Sequence, residues 1–175
     1  MRAIGIAGWS GAGKTRLIAR LIPELARRGL SVSTIKHSHH DVEMDAPGKD
    51  SFVHREAGAR EALLASPRRF ALVREHGEGQ EPSLAELLCM MSPVDLVLIE
   101  GFKRERHRKI EVVGAGNDGS LWPGDPHVVA IVGDAQPAPD DLPRVDADDI
   151  AAVAELVLFH AEDLPALVDR LKAAR

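Results

Sequence analysis

Apolar residues along the chain fall alternately into short extended runs and into stripes of helical spacing, and the order of the two patterns indicates the fold. Arg2 to Ala7 reads as a strand that leads through a glycine-rich turn into a helix from about Gly13 to Arg28. Leu17, Ile18, Leu21, Ile22 and Leu25 share one face of that helix, and Gly29 is placed to end it. Pro23 lies inside it, removes a hydrogen bond and can cost about 3 kcal/mol, so a kink or local widening is expected. Ser31 to Lys36 reads as a second strand, followed by a polar loop from His37 to Lys49 and a helix beginning near Asp50 or Ser51. Ala62 to Ala65 and Phe70 to Arg74 are short extended segments whose type the pattern leaves open. Ser83-Leu84-Ala85-Glu86 matches a capping box and predicts a helix from Leu84 to Met91.

After Ser92-Pro93 the run Asp95-Leu96-Val97-Leu98-Ile99-Glu100 is almost continuously apolar, as expected of a strand buried on both faces of a sheet, and it ends in a carboxylate. Lys109 to Val113 and Val128 to Val132 read as further strands. Asp148 to His160 and Asp163 to Ala174 read as closing helices. Strands alternating with helices predict an α/β sandwich with a mainly parallel central sheet, whose ligands sit at the carboxyl ends of the strands.

Composition narrows this picture. A chain of 175 residues suits a single domain with a proper core. Aromatic residues are 3% and tyrosine is absent, so Leu, Val, Ile and Ala must build that core. Cys89, the only cysteine, sits in the apolar run Leu87-Leu88-Cys89-Met90-Met91 and is expected to be a small core residue; a disulfide framework within one chain is excluded. A net charge of −5 argues against general nucleic-acid binding. Apolar runs fall short of the ~18 residues that suggest a membrane span, and Met1 leads straight toward the glycine-rich turn without a signal pattern. A cytoplasmic location is expected.

The glycine-rich turn is Gly8-Trp9-Ser10-Gly11-Ala12-Gly13-Lys14-Thr15, which matches G-x-x-x-x-G-K-[ST] between a strand and a helix. That context brings loop amides and a helix amino terminus onto one anion site. The phosphate contacts are therefore expected from Gly8, Ser10, Gly11, Ala12, Gly13, Lys14, Thr15 and Arg16, with Lys14 reaching the β- and γ-phosphates and the Thr15 hydroxyl on Mg2+. Glu100, at the carboxyl end of a buried strand, is the candidate second metal contact, through a metal-bound water. Asp95, at the other end of that strand, is the weaker candidate. Some phosphate loops that pair across a dimer carry an extra lysine after the first glycine; Trp9 stands there instead. The guanine-reading N-K-x-D pattern is absent, and Asp134, after the late strand, is the candidate guanine contact, with a plain turn residue as the alternative.

Three further segments carry chemistry. Lys36-His37-Ser38-His39-His40-Asp41 places three of the eight histidines just after a strand, near the phosphate-loop edge. They suit contact with phosphate, purine or pterin groups, or a transition metal, or are simply solvated. Pro47-Gly48-Lys49-Asp50-Ser51 combines a turn, a cation and a helix start, either another anion site or only a turn and cap. Lys103, Arg104, Arg106, Arg108 and Lys109 crowd one segment after Gly101-Phe102, where they form either a solvated loop or a site for a second phosphorylated ligand or an acidic partner.

The ordered combination of the phosphate loop, Ile35 to Asp41, Pro47 to Ser51, Ala57-Gly58-Ala59 and Leu98-Ile99-Glu100-Gly101-Phe102-Lys103 resembles the MobB family of molybdopterin-guanine dinucleotide biosynthesis adapter proteins. The resemblance runs from the first strand to about Ala154, and the helix beyond about residue 161 looks like an extension of a single P-loop GTPase domain. It implies a P-loop NTPase three-layer sandwich, a homodimer, binding of GTP with Mg2+ and weak GTPase activity. It also implies that the protein assists a MobA-type molybdenum cofactor guanylyltransferase, which joins GMP to molybdopterin. Carried over by motif, Gly11 to Thr15 hold phosphate, Thr15 and Glu100 hold magnesium, and Lys36, His37, His39, His40, Asp41, Lys49, Asp50 and Lys103 contribute to the nucleotide or pterin region. Two other readings share the phosphate loop. A metal-delivery GTPase needs a cysteine-containing or longer histidine-rich motif that this chain lacks. A small-molecule kinase needs an arginine-bearing lid, for which Lys103 to Lys109 is the only candidate.

Overall fold

A computed structural model describes residues 1–38, 46–77, 81–114, 119–134 and 141–174. The chain forms two compact units, Met1–His37 with Leu84–Arg175, and Ser38–Ser83. In chain order the elements are β1 (Arg2–Ala7), α1 (Lys14–Arg27), β2 (Val32–Lys36), α2 (Asp50–Glu56), β3 (Glu61–Ala65), β4 (Phe70–Arg74), α3 (Leu84–Met90), β5 (Leu96–Glu100), β6 (Lys109–Val113), β7 (Val128–Gly133), β8 (Arg144–Val145), α4 (Ile150–His160), β9 (Glu162–Asp163) and α5 (Leu164–Ala173).

The larger unit is built on a sheet ordered β2-β5-β1-β6-β7-β8, every neighbouring pair parallel, with β9 antiparallel beside the start of β1. Alternation along each strand divides the core in two. Ile4, Ile6, Leu96, Leu98, Ile110, Val112, Ala130 and Val132 pack with α1 and α4 on one face. Ala3, Ile35, Val97 and Ile99 pack with α3 and α5 on the other. The result is the expected α/β arrangement of three layers around a mainly parallel sheet.

The local signals account for the helices. In α1, Leu17, Ile18, Leu21 and Leu25 are buried. Gly29, at φ 81°, ends it in a Schellman motif, with Gly29 N–H donating to Ala26 O and Leu30 N–H to Leu25 O. The helix continues unbroken through Pro23, which lies on its exposed side; Ala19, whose carbonyl would otherwise take the missing N–H, is also exposed to water. Asp149 and Asp163 cap α4 and α5 through their carboxylates. The helix expected beyond about residue 161, α5, places Leu164, Leu167, Val168 and Leu171 in the core beside Leu84, Leu88, Val97 and Ile99. Cys89 is exposed, contrary to expectation, because α3 turns Leu84, Ala85 and Leu88 inward and the next residue away from them.

In the smaller unit α2 ends at Gly58, φ 99°, in a second Schellman motif, with Gly58 N–H on Arg55 O and Ala59 N–H on His54 O. The two undecided extended segments form an antiparallel hairpin that pairs Leu63 with Leu72 and Ala65 with Phe70. Ser66 closes the turn, its N–H and hydroxyl both donating to Arg69 O at 2.8 Å.

Candidate functional site

Because the strands run parallel, the carboxyl ends of β1, β2, β5, β6 and β7 reach one edge of the sheet, and the register aligns Ile6, Glu100 and Lys36 there. The phosphate loop leaves β1 at this edge. Gly8, Gly11 and Gly13 have φ of 140°, 79° and 93°, a region that favours glycine. At Gly8 a side chain is excluded doubly, since a Cβ would stand 2.4 Å from Val112 O. Ala12 is buried, its N–H donates to Trp9 O, and Gly114 packs against its backbone, so it locks the loop onto the end of β6. Ser10 and Arg16 are exposed around the loop and the first turn of α1.

Lys14 folds back over the loop and donates to Gly8 O at 2.9 Å and Trp9 O at 2.8 Å, carbonyls that a phosphate would replace. Burial lowers its pKa, which the Glu100 carboxylate counters and the Lys103 and Lys36 cations reinforce. Beside it the Thr15 hydroxyl donates to Glu100 Oε1 at 2.8 Å. Lys36 Nζ lies 3.2 Å from that same carboxylate oxygen and 3.3 Å from Thr15 Oγ1. The ammonium thus sits between the two oxygens proposed from the sequence for a metal, and this edge accommodates a positive charge there. One hydroxyl and one carboxylate beside a phosphate loop fit Mg2+, which commonly takes few protein ligands and completes its shell with phosphate oxygens and water. Asp95 has no part in this. It lies at the opposite end of β5, where both the amide and the hydroxyl of Ser31 donate to it, at 2.8 and 2.6 Å, and hold its pKa down.

The turn after Glu100 is strained. Gly101 has φ 93° and Phe102 φ 50°, an unusual conformation for a bulky side chain, yet Phe102 is buried. The His37 ring lies 4.7 Å from that of Phe102, and the His37 backbone N–H donates to the Glu100 backbone carbonyl at 2.9 Å. His37 therefore helps fix the turn that carries Glu100. Lys103, next in the turn, places its ammonium 4.3 Å from the centre of the exposed Trp9 ring, a cation–π contact that links the basic segment to the phosphate loop. Asp134 is exposed beyond β7 on the same sheet edge, 3.9 Å from Arg144. Lys49 and Asp50 start α2 in the smaller unit. His39, His40 and Asp41 lie outside the described residues.

The basic segment is not uniformly solvated. Lys109 is fully buried, because strand alternation puts it on the inner face with Glu111, and its Nζ donates to Lys103 O, Glu105 O and Asp125 Oδ2 at 3.0, 2.8 and 2.7 Å. For Asp125, burial alone would raise the pKa, but the Lys109 and His127 hydrogen bonds prevail and lower it. Glu111 accepts from the amides of Leu121 and Trp122, and burial raises its pKa. One signal of this polar layer is Gly5 inside β1, where a Cβ would meet His107 Nε2 at 2.4 Å.

His107 is fully buried, and burial, with Lys109 and His127 nearby, pushes its pKa down to about 3, against the opposing pull of Asp125. Below about pH 6.5 the unfolded chain takes up a proton at this histidine that the folded chain refuses until about pH 3, so folding stability falls as pH drops through that window. His107→Leu should flatten the decline by up to about 1.4 kcal/mol per pH unit. Urea unfolding at pH 7 and pH 4.5 checks this; an identical decline in both proteins would contradict it.

Comparison with known proteins agrees with this fold. Residues 3–134 match the family model for molybdopterin guanine dinucleotide synthesis protein B. The molybdopterin-guanine dinucleotide biosynthesis adapter protein of Escherichia coli (strain K12) is 41% identical over 89% of this chain and 90% of its own. A crystal structure of molybdopterin-guanine biosynthesis protein B superposes with a TM-score of 0.71 at 29% identity, over 90% of this chain and 97% of that one. The Bacillus subtilis MobB structure, at 24% identity, shares the fold with a TM-score of 0.74 over 93% of this chain and 99% of its own.

Proposed function

The chain belongs to the MobB family, and from that premise we propose that it is a GTP-binding adapter in molybdenum cofactor biosynthesis that assists the attachment of GMP to molybdopterin. The observation that carries the nucleotide half of this reading is the cation position shared by Thr15, Glu100 and Lys36 beside the glycine loop. In the bound state Lys14 exchanges the Gly8 and Trp9 carbonyls for β- and γ-phosphate oxygens. Loop amides and the start of α1 hold the remaining phosphate charge. Thr15 and Glu100 would hold Mg2+, which would neutralise phosphate charge, and the exposed Lys36 ammonium is free to return to water. Slow GTP hydrolysis fits a site whose Glu100 is committed to Thr15 and the metal position rather than to orienting an attacking water. Asp134 exchanges its distant Arg144 partner for the two adjacent N–H donors of guanine.

The partner in this reading is a MobA-type guanylyltransferase, the second ligand is molybdopterin, and the setting is the cytoplasm. No helix among the described residues is long and apolar enough to cross a membrane. Adding the protein to the transferase with molybdopterin and GTP should raise the yield of the guanine dinucleotide; a yield unchanged across protein concentrations would sink the adapter role.

The working form is a homodimer. Its support is the β3–β4 hairpin, which exposes Leu63, Leu64, Phe70 and Leu72, a larger apolar display than two strands alone usually leave to water. Phe70→Glu with Leu72→Lys is expected to shift the molecular mass in solution from dimer to monomer by light scattering. A dimer that persists at low micromolar concentration would rule out the hairpin as the contact.

A further inference from the structure

The basic segment builds a second site, and we infer that the cavity formed by Lys103, Arg104, Arg106, His127 and Arg170 binds the phosphoryl group of a small phosphorylated molecule distinct from the nucleotide at the phosphate loop. The cavity has a volume of about 830 Å3, within the range of small-molecule sites. The inference does not rest on the identity of the nucleotide.

Three walls meet here: the turn after Phe102, the segment 124–127, and the end of α5. They are cross-linked from within. Lys109 uses all three ammonium protons, two on the first wall at Lys103 O and Glu105 O and one on the second at Asp125. The other Asp125 oxygen accepts His127 N–H at 2.9 Å, and Arg170 Nε donates to Arg106 O at 3.3 Å to join the third wall. A solvated basic loop needs no buried ammonium beneath it, because burying a charge is costly unless every donor is satisfied. Here every donor is satisfied, and the effect is to hold the cationic walls in place.

The charge balance defines the ligand. Lys109 neutralises Asp125, and Arg170 is paired with Glu162. Arg104 and Arg106 are exposed and have no carboxylate partner among the described residues. Two uncompensated guanidinium groups on a fixed frame match a phosphomonoester, whose several oxygens accept bidentate bonds. A cavity of this volume accommodates a small molecule, and the surface of an acidic protein is the alternative that a polyanionic peptide tests. Lys103, on the rim, reaches Trp9 of the phosphate loop, which links this cavity to that loop.

The test is an amide NMR titration of the full chain, saturated with GDP and Mg2+, using phenyl phosphate and, in a separate arm, hexaglutamate. Phenyl phosphate should shift the amides of residues 103–106, 124, 125 and 127 saturably while those of 10–15 stay in place. The double variant Arg104→Ala, Arg106→Ala should bind it about tenfold more weakly or worse. Absence of saturation, equal affinity in the variant, or tighter binding of hexaglutamate would overturn the assignment. If GDP fails to bind, the nucleotide reading falls by itself, and the shifts at 103–106 still report on the cavity.

Discussion

Lys14→Ala is expected to weaken GTP binding by at least about 100-fold, equivalent to about 2.7 kcal/mol, while leaving the fold intact. Lys14 is half-buried above the loop, its ammonium carried by the Gly8 and Trp9 carbonyls, and the neighbouring Lys103 and Lys36 disfavour its charge in the absence of phosphate. An anion at the loop relieves that repulsion and meets all three cations. Neither carbonyl requires the lysine for the backbone path, which follows from the positive φ of Gly8, Gly11 and Gly13. Isothermal titration with GTP and Mg2+, beside a thermal melt of the unliganded protein, separates the two effects. A variant that keeps its affinity would show that the loop does not use its lysine for phosphate.

Glu100→Gln should leave GTP affinity without Mg2+ within a few-fold of the parent and remove most of the gain that Mg2+ supplies, about 10- to 100-fold. The amide can still accept from Thr15 but no longer offers a full negative charge to a cation. Glu100 is buried, and a lost partner for a buried charge is ordinarily severe. Lys36 is more than half exposed, however, so its ammonium returns to water at little cost. Titrating Mg2+ at fixed GTP reads the effect directly. An unchanged Mg2+ dependence would move the metal contact away from Glu100.

These expectations rest on features that were differently visible in the sequence. The loop was legible because its backbone demands glycine at fixed offsets, and the strand and helix around it carry their own periodicities. Glu100 was legible because an apolar strand buried on both faces has few reasons to end in a carboxylate at the ligand edge. The cation position was only partly legible: Lys36 was singled out as a ligand contact, but its meeting with Glu100 depends on β2 lying beside β5, which is a property of sheet order. The burial of Lys109 is not legible within a charge run, because its partner, Asp125, is 16 residues away and because the face a strand residue takes depends on register. The same limit applies to Cys89, since an unbroken apolar run does not show which side of a short helix faces the core. His37 sits at the predicted edge but packs on Phe102, and its loop neighbours His39, His40 and Asp41 lie outside the described residues.

The central claim is that the loop and the Thr15–Glu100 pair bind GTP together with Mg2+. A competition titration measures it most directly: a fluorescent GTP analogue displaced from the full chain by GTP or by ATP, with and without Mg2+. GTP should displace the analogue at a concentration at least about tenfold lower than ATP, a difference of about 1.4 kcal/mol, and its affinity should fall about 10- to 100-fold without the metal. Equal displacement by the two nucleotides, or displacement indifferent to Mg2+, would contradict it.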